Sequence, residues 1–356
     1  MIRQILVEEN IGETRAAVVE NGRMVELHLD RWSEQGGRAL EGEIYRGRVR
    51  RVEPALNCAF VDIGIGEDGF LPFGKSGRPK GLHEGAAIGV RVSREAHSEK
   101  GPNLSLADVE EGEAPQCVEP APILAQRLVA AFKEAEAVWA DETDFDLEAA
   151  FDEALDPMVK IPGGGSLYIE QTRAMTTIDV DADGRKGQGD AAKLSAALNM
   201  SAAKESARQI RMRGLGGIVA IDFVSMRGQP DRKAVEQALR QAFKKDRAKV
   251  DVAALSQFGV GELARQRRGR SLAEQMLDKS GALSVETRAL AALRRLEGEG
   301  RARGGKRLSL QIPEDVKAWL EAESIDWRSA MTDRIGPRFE LEAKENFRFD
   351  QVDVRS

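Results

Sequence analysis

From "IPGGGSLYIEQT" to "AKVDVAAL", residues 161–255, short β-branched runs alternate with long helical ones, and that alternation constrains the fold more than any other feature. "IPGGGSLYIEQT" turns the chain into a strand. A second strand is expected near residues 174–180, then a helix near 190–213. "GGIVAIDFVSM" reads as a buried strand, a helix near 231–248 follows, and "AKVDVAAL" returns to strand. Strands alternating with helices specify a layered α/β unit. In such units ligands gather outside the carboxyl ends of the strands.

Those ends carry acids. "TTIDVDADG", residues 176–184, alternates Asp179, Asp181 and Asp183 before Gly184, and Asp190 follows. The spacing nearly matches a calcium-binding EF-hand loop, with oxygen ligands at positions 1, 3 and 5, Gly at 6 and an acid at 12. An EF-hand must join two helices, yet "AMTTI" points to a strand. Lys186 also stands where the loop is normally apolar, and Asp190 is shorter than the expected Glu. The second strand offers Asp222, a lone acid in an apolar run, and an unpaired buried charge is costly. If the two strands are neighbours, Asp179 and Asp222 converge. Mg²⁺ takes one or two carboxylates plus water and phosphate oxygens, and such an ion activates water and stabilises phosphoryl transfer. The plainer alternative is that these acids cap helices or close turns. Spacing alone does not choose between them.

Bulk properties narrow the classes. The 356 residues, 42% hydrophobic, suffice for two or three cored domains. Lys+Arg 53 against Asp+Glu 59 gives a net charge of −6, which argues against coating nucleic acid by bulk charge but leaves local basic patches open. Cys58 and Cys117 form no CxxC pair, so neither a disulfide framework nor a cysteine zinc site is expected. His28, His83 and His97 share no metal-ligand spacing. "MIRQILVEEN" lacks the apolar region of a signal peptide and no stretch suits a membrane span, so the expectation is a cytoplasmic protein.

The rest of the chain reads as β-rich modules and linkers. Asn21-Gly22 lies between two apolar runs, a hairpin signal. "GEIYRGRVRRVEPALNCAFVDIGIGEDGFLPF", residues 42–73, then "AIGVRVSRE" and "NLSLAD", suggest a small barrel. Within it, Arg46, Arg48 and Arg50 share one strand face, which suits either phosphate tracking or a solvated face. "EEGEAPQCVEPAP", residues 110–122, reads as a linker, with helices expected near 123–140 and 145–155. "GEGRARGGKR", residues 298–307, reads as a flexible basic linker before a small β-α-β unit.

Three blocks, "PGGGSLYIEQTRAMTTIDVDADG", "NMSAAKESARQIRMRGLGGIVAIDFVSM" and "KKDRAKVDVAALSQFGVGELARQRRGRSL", resemble in order and spacing the catalytic core of the bacterial ribonuclease E/G family. The 42–73 run is similar to that family's OB-fold RNA-binding domain of the S-one type, and the last 50 residues resemble its small C-terminal domain more loosely. The resemblance covers most of the chain. It implies an α/β multi-domain protein. The parts expected are a trimmed ribonuclease-H-like subdomain (1–38 with 120–156), an OB-fold β-barrel (39–109), a deoxyribonuclease-I-like catalytic domain (157–297) and a small C-terminal β-α-β domain (306–356). It implies an endoribonuclease for single-stranded RNA, using Mg²⁺ held by Asp179 and Asp222, in processing of stable RNA or decay of messengers. Asp181 stands where the family usually has Asn, and is expected to orient water or complete the metal shell, with Mn²⁺ as a second option for the ion. Phe60 and Phe70 match base-stacking positions, and Lys100 a basic contact. Arg185, Lys186, Arg247, Lys249 and Arg265 are expected to meet RNA around the acidic site.

Two departures shape the expectation. Asp108 to Asp179 leaves about 70 residues, too few for the family's 5′-monophosphate sensor, so indifference to the 5′ end is expected. "SLAEQMLDKSGAL" holds no cysteine where the family places its zinc-link motif, so no zinc and no zinc-linked dimer are expected. A homodimer through other surfaces stays open, as does a non-catalytic RNA-binding protein with a dead core.

Overall fold

The computed structural model describes residues 3–96, 100–132, 134–184, 191–226, 228–322, 324–345, 347–348 and 350–355. Strands β1 (Arg3–Asn10), β2 (Glu13–Glu20) and β3 (Arg23–Arg31) come first. Asn21 and Gly22 both take positive φ between β2 and β3, as the hairpin signal requires. Next come β4 (Ile44–Glu53), β5 (Cys58–Asp62), β6 (Gly69–Pro72), β7 (Ala87–Arg94), β8 (Asn103–Leu106) and β9 (Gln116–Glu119). Helix α1 (Leu124–Ala131), strand β10 (Glu136–Trp139) and helix α2 (Leu147–Leu155) follow. The first helix is therefore shorter than its sequence suggests, because residues 136–139 pair with β1 in a sheet of order β10-β1-β2-β3. The acidic 110–122 run also contributes a strand, β9, paired with β4.

Contact density divides the chain into two compact units, each drawn from three segments. The first comprises Met1–Leu6, Ala17–Leu27 and Glu134–Leu272. It contains β11 (Met158–Lys160), β12 (Ser166–Gln171), β13 (Met175–Asp181), α3 (Ala191–Met212), β14 (Gly217–Asp222), α4 (Gln229–Ala242), β15 (Val250–Val252) and β16 (Val260–Arg265). Their sheet has the order β11-β12-β13-β14-β16-β15, and β13 and β14 run parallel, as the alternating pattern requires. Ile178, Val180, Val219 and Ile221 face one side, where they pack on Leu198 and Ile210 of α3 and Val235 and Leu239 of α4. Two arginines of α3 anchor the hairpin and α2. Arg211 pairs with Glu20 and Glu26, and Arg208 pairs with Glu205 and Glu153.

The second unit comprises Val7–Ala16, His28–Lys133 and Ala273–Ser356. Strands β5-β6-β8-β7-β4 form a ring closed by the β4–β5 pairing, a five-stranded barrel consistent with an OB-fold. Val49, Val61, Leu71, Val90 and Leu104 fill it. A Cβ on Gly101 would lie 2.1 Å from the Asp68 carbonyl, so only glycine fits that approach.

After α5 (Leu272–Met276), α6 (Val285–Ala302) packs with β17 (Leu308–Ile312), α7 (Glu314–Glu321) and α8 (Trp327–Ile335). Strands β18 (Phe339–Ala343) and β19 (Asp353–Arg355) flank β17, with β18 parallel to it as a β-α-β unit requires. The first half of the glycine-rich run read as a linker, residues 298–302, is helix, and residues 303–307 connect α6 to β17. Gly300 is buried against α8, where a Cβ would meet Ile335 Cδ1 at 2.6 Å, so the glycine serves close packing rather than flexibility. No helix among the described residues is long and apolar enough to cross a membrane.

Candidate active site and nucleic-acid interface

Period-2 alternation builds the site. In β13, Thr176, Ile178 and Val180 point to the helices, so Asp179 and Asp181 point the other way. In β14, Val219 and Ile221 are buried, so Asp222 shares the face of Asp179. Asp179 and Asp222 are direct register partners on the parallel strands. Adjacent strands lie about 4.8 Å apart, so the two carboxylates stand side by side. Both are exposed. Asp222 ends its strand in solvent and is not the buried charge that its apolar neighbours suggest.

The acids divide their roles. Asp181 Oδ1 accepts from the Asp183 amide at 2.7 Å and closes a turn. Asp183, at φ 52, accepts from Lys160 Nζ at 2.9 Å and Ser166 Oγ at 2.7 Å. Those two bonds hold its carboxyl below the usual range. Asp181 and Asp183 thus both take part in a turn, and Asp181 is otherwise exposed. Asp179 and Asp222 have no ion-pair partner among the described residues. Like charges placed directly opposite repel, and a cation between them removes the repulsion. No group of three or more metal-ligating side chains occurs among the described residues. Two carboxylates completed by water fit Mg²⁺, which rarely takes an all-protein cage. The EF-hand reading fails because Asp179 and Asp181 lie in a strand. Asp190, Arg185 and Lys186 lie outside the described residues.

Asn199 is a residue that the sequence did not single out. Buried in α3, it donates to the Val224 carbonyl at 2.7 Å and accepts from the Val224 amide at 3.1 Å. This reciprocal clamp fixes the chain two residues after Asp222. Its only signal is a polar residue on the apolar face of a helix.

Arg265 was expected at RNA, but it is 6% exposed. Its guanidinium forks onto Asp246 at 2.7 and 3.1 Å and donates to the Leu215 carbonyl at 2.6 Å. Odd-numbered residues of β16 face the helices, which leaves this arginine a structural pin. Arg247 lies 3.5 Å from Glu26, and Lys249 is exposed, 3.1 Å from Asp251.

In the barrel, Phe60 and Phe70 are register partners with ring centroids 5.9 Å apart, edge to face and half-buried. The Arg51 guanidinium lies 4.7 Å over the Phe60 ring. Lys100 is exposed. Arg46 donates to the Glu110 and Glu113 carbonyls and Arg48 to those of Gly85 and Ala114, while Arg50 pairs with Asp62. These three hold the barrel's own chain.

A sequence model of the ribonuclease E/G family matches residues 75–268, more than half of the chain. The chain belongs to that family. Ribonuclease E of Escherichia coli (strain K12) is 24% identical over 454 aligned residues, covering 90% of this chain and 42% of that protein. Ribonuclease G of Haemophilus influenzae is 26% identical, covering 78% of this chain and 82% of that protein, and ribonuclease G of Escherichia coli (strain K12) is 25% identical, covering 76% and 81%. This member of the family thus spans less than half of the ribonuclease E relatives. The 454-residue alignment exceeds its 356 residues, so segments of that relative have no counterpart here.

Proposed function

We propose that this family member is a divalent-metal-dependent endoribonuclease that cuts single-stranded RNA internally in RNA processing or decay. The observation that carries the reading is the exposed register pair Asp179–Asp222 at the carboxyl ends of parallel strands. Mg²⁺ is the ion such a pair suits, with Mn²⁺ second. The ion supplies water activation and neutralises charge on the phosphate. Asp179 and Asp222 hold it, Asn199 fixes the chain after Asp222, and the Asp181–Asp183 turn fixes the chain after Asp179. In-line displacement of the 3′ oxygen leaves a 5′-phosphate and a 3′-hydroxyl.

We read the barrel as an RNA-binding OB-fold in which Phe60, Phe70 and Lys100 meet the strand, and the six-stranded sheet as the deoxyribonuclease-I-like catalytic domain. Arg185, Lys186, Arg247 and Lys249 are assigned to phosphate neutralisation. Asn at position 181 would offer the same acceptor oxygen to the Asp183 amide, so the family departure leaves the turn intact. That favours a working nuclease over a dead core. The short span from Asp108 to Asp179 supports a chain without the 5′ sensor, hence indifferent to the 5′ end. No zinc link is part of the reading.

The test is a 5′-labelled single-stranded RNA incubated with Mg²⁺ or EDTA, beside Asp179→Asn and Asp222→Asn, on 5′-hydroxyl and 5′-monophosphate forms. Mg²⁺-dependent internal cuts, lost in both variants and equal on both substrates, are expected. Binding without cutting would leave a non-catalytic RNA-binding protein.

A further inference from the structure

The six-stranded sheet buries one face under α3 and α4 and leaves the other open. Along the register row that holds the carboxylates, the order is Tyr168, Asp179, Asp222, Val260. Tyr168 is 39% exposed although it lies in the middle of a strand. Past the carboxyl end of β14, in the turn two residues before Val260, Phe258 is 81% exposed.

The turn that carries Phe258 is tied down. Gly259 N donates to the Ser256 carbonyl at 3.0 Å and Ser256 N to the Val260 carbonyl at 2.9 Å. Ser256 Oγ accepts from the Phe258 and Val260 amides at 3.3 and 3.2 Å. Arg232 of α4 donates to the Gln257 carbonyl at 2.9 Å. A fixed turn that holds a benzyl group in water calls for a partner for its ring.

We propose that Tyr168 and Phe258 are positioning residues, each stacking one base of a single-stranded RNA that runs from Tyr168 past Asp179 and Asp222 to the turn before β16. The scissile phosphate lies between them, at Asp179 and Asp222. The inference rests on the nuclease reading above and deepens it. A ligand with an anion at the centre and a flat apolar face on each side is a polynucleotide. Paired bases in a duplex keep their faces covered, so the row selects unpaired RNA. Stacking is tolerant of base identity, so the row enforces single-strandedness without fixing a sequence.

The experiment uses the whole chain with single-stranded RNA of one cleavage site, and compares Tyr168→Ala and Phe258→Ala with Tyr168→Phe, Phe258→Trp and, as an off-row control, Trp139→Ala. Cleavage and binding by anisotropy are both read, with thermal melts to confirm folding. Each row alanine is expected to weaken RNA binding about 5- to 150-fold, seen mainly in KM. The aromatic replacements restore it, and Trp139→Ala changes neither. An abasic site beside the scissile bond should cost the wild type as much as the matching alanine, and cost that alanine variant nothing further.

Mg²⁺-dependent cutting that both alanines leave unchanged would overturn the proposal and keep the nuclease. Weakened binding in a chain that never cuts would support the row and remove the nuclease. Unchanged binding with a dimer lost in the alanines would make the face a contact between copies and overturn the proposal. A wild type that neither binds nor cuts overturns both.

Discussion

Asp246→Asn tests whether Arg265 is a pin or an RNA contact. The Asp246 carboxylate accepts two bonds from Arg265 and a third from the Ala248 amide at 2.8 Å. Both side chains are buried, at 6% and 0% exposure. Removing one member of a buried pair leaves the other charge uncompensated and costs about 3–5 kcal/mol. Asn keeps one acceptor oxygen, and the Leu215 carbonyl still accepts from Arg265, so the low end, about 3 kcal/mol, is expected. At about 2–4 °C per kcal/mol for 150–250 residues, the melting temperature should fall by about 6–12 °C. The assay is urea unfolding together with RNA binding across a salt series. A pin predicts lost stability with an unchanged salt slope. A phosphate contact, freed from its carboxylate, would strengthen RNA binding, and each added contact changes the slope by about 0.7 for single strands. A stability loss under about 1 kcal/mol, or that change in slope, would refute the reasoning.

Further outcomes follow from the same geometry. Gly101→Ala forces a Cβ to within 2.1 Å of a backbone carbonyl, so the barrel should lose about 2 kcal/mol or more, measured by urea unfolding. Phe60→Ala and Phe70→Ala should each weaken single-stranded RNA binding about 5- to 150-fold in anisotropy titrations. Burial pushes the Glu205 carboxyl up, but the hydrogen bond and charge of Arg208, together with hydrogen bonds from Gln209 and Arg23, make the net shift downward. A lowered acid stabilises the fold fully above its unfolded value of 4.5 and ceases to do so as pH falls through its folded value. Urea midpoints should therefore drop below pH 4.5, and that drop should shrink in Glu205→Gln.

The alternating stretch was legible because its strands carry clean period-2 patterns and its helices clean amphipathic ones. That pattern also fixed the shared face of Asp179 and Asp222, given only that β13 and β14 are neighbours. Arg265 misled because arginine in a basic run looks solvated, while strand parity and a partner at position 246 decide its burial. Residues 298–302 misled because glycine signals flexibility locally, and only α8 shows that Gly300 is a contact point. Asn199 and Phe258 were silent because their meaning depends on neighbours far along the chain.

The interleaved segments of the two units set the order in which the protein can assemble on a ribosome. Glu20 must wait for Arg211, 191 residues later. At about 5–20 residues per second, that wait is about 10–40 s. In the other unit, Glu13 waits 281 residues for Arg294, and Ile11 waits for α6 and α8. Neither unit can close behind the growing chain. The N-terminal hairpin must emerge, stay unaggregated with its apolar face uncovered, and be claimed late. Slowing elongation should lengthen that exposure, and helper proteins that shield nascent strands should matter more for this chain than for one whose domains are continuous in sequence.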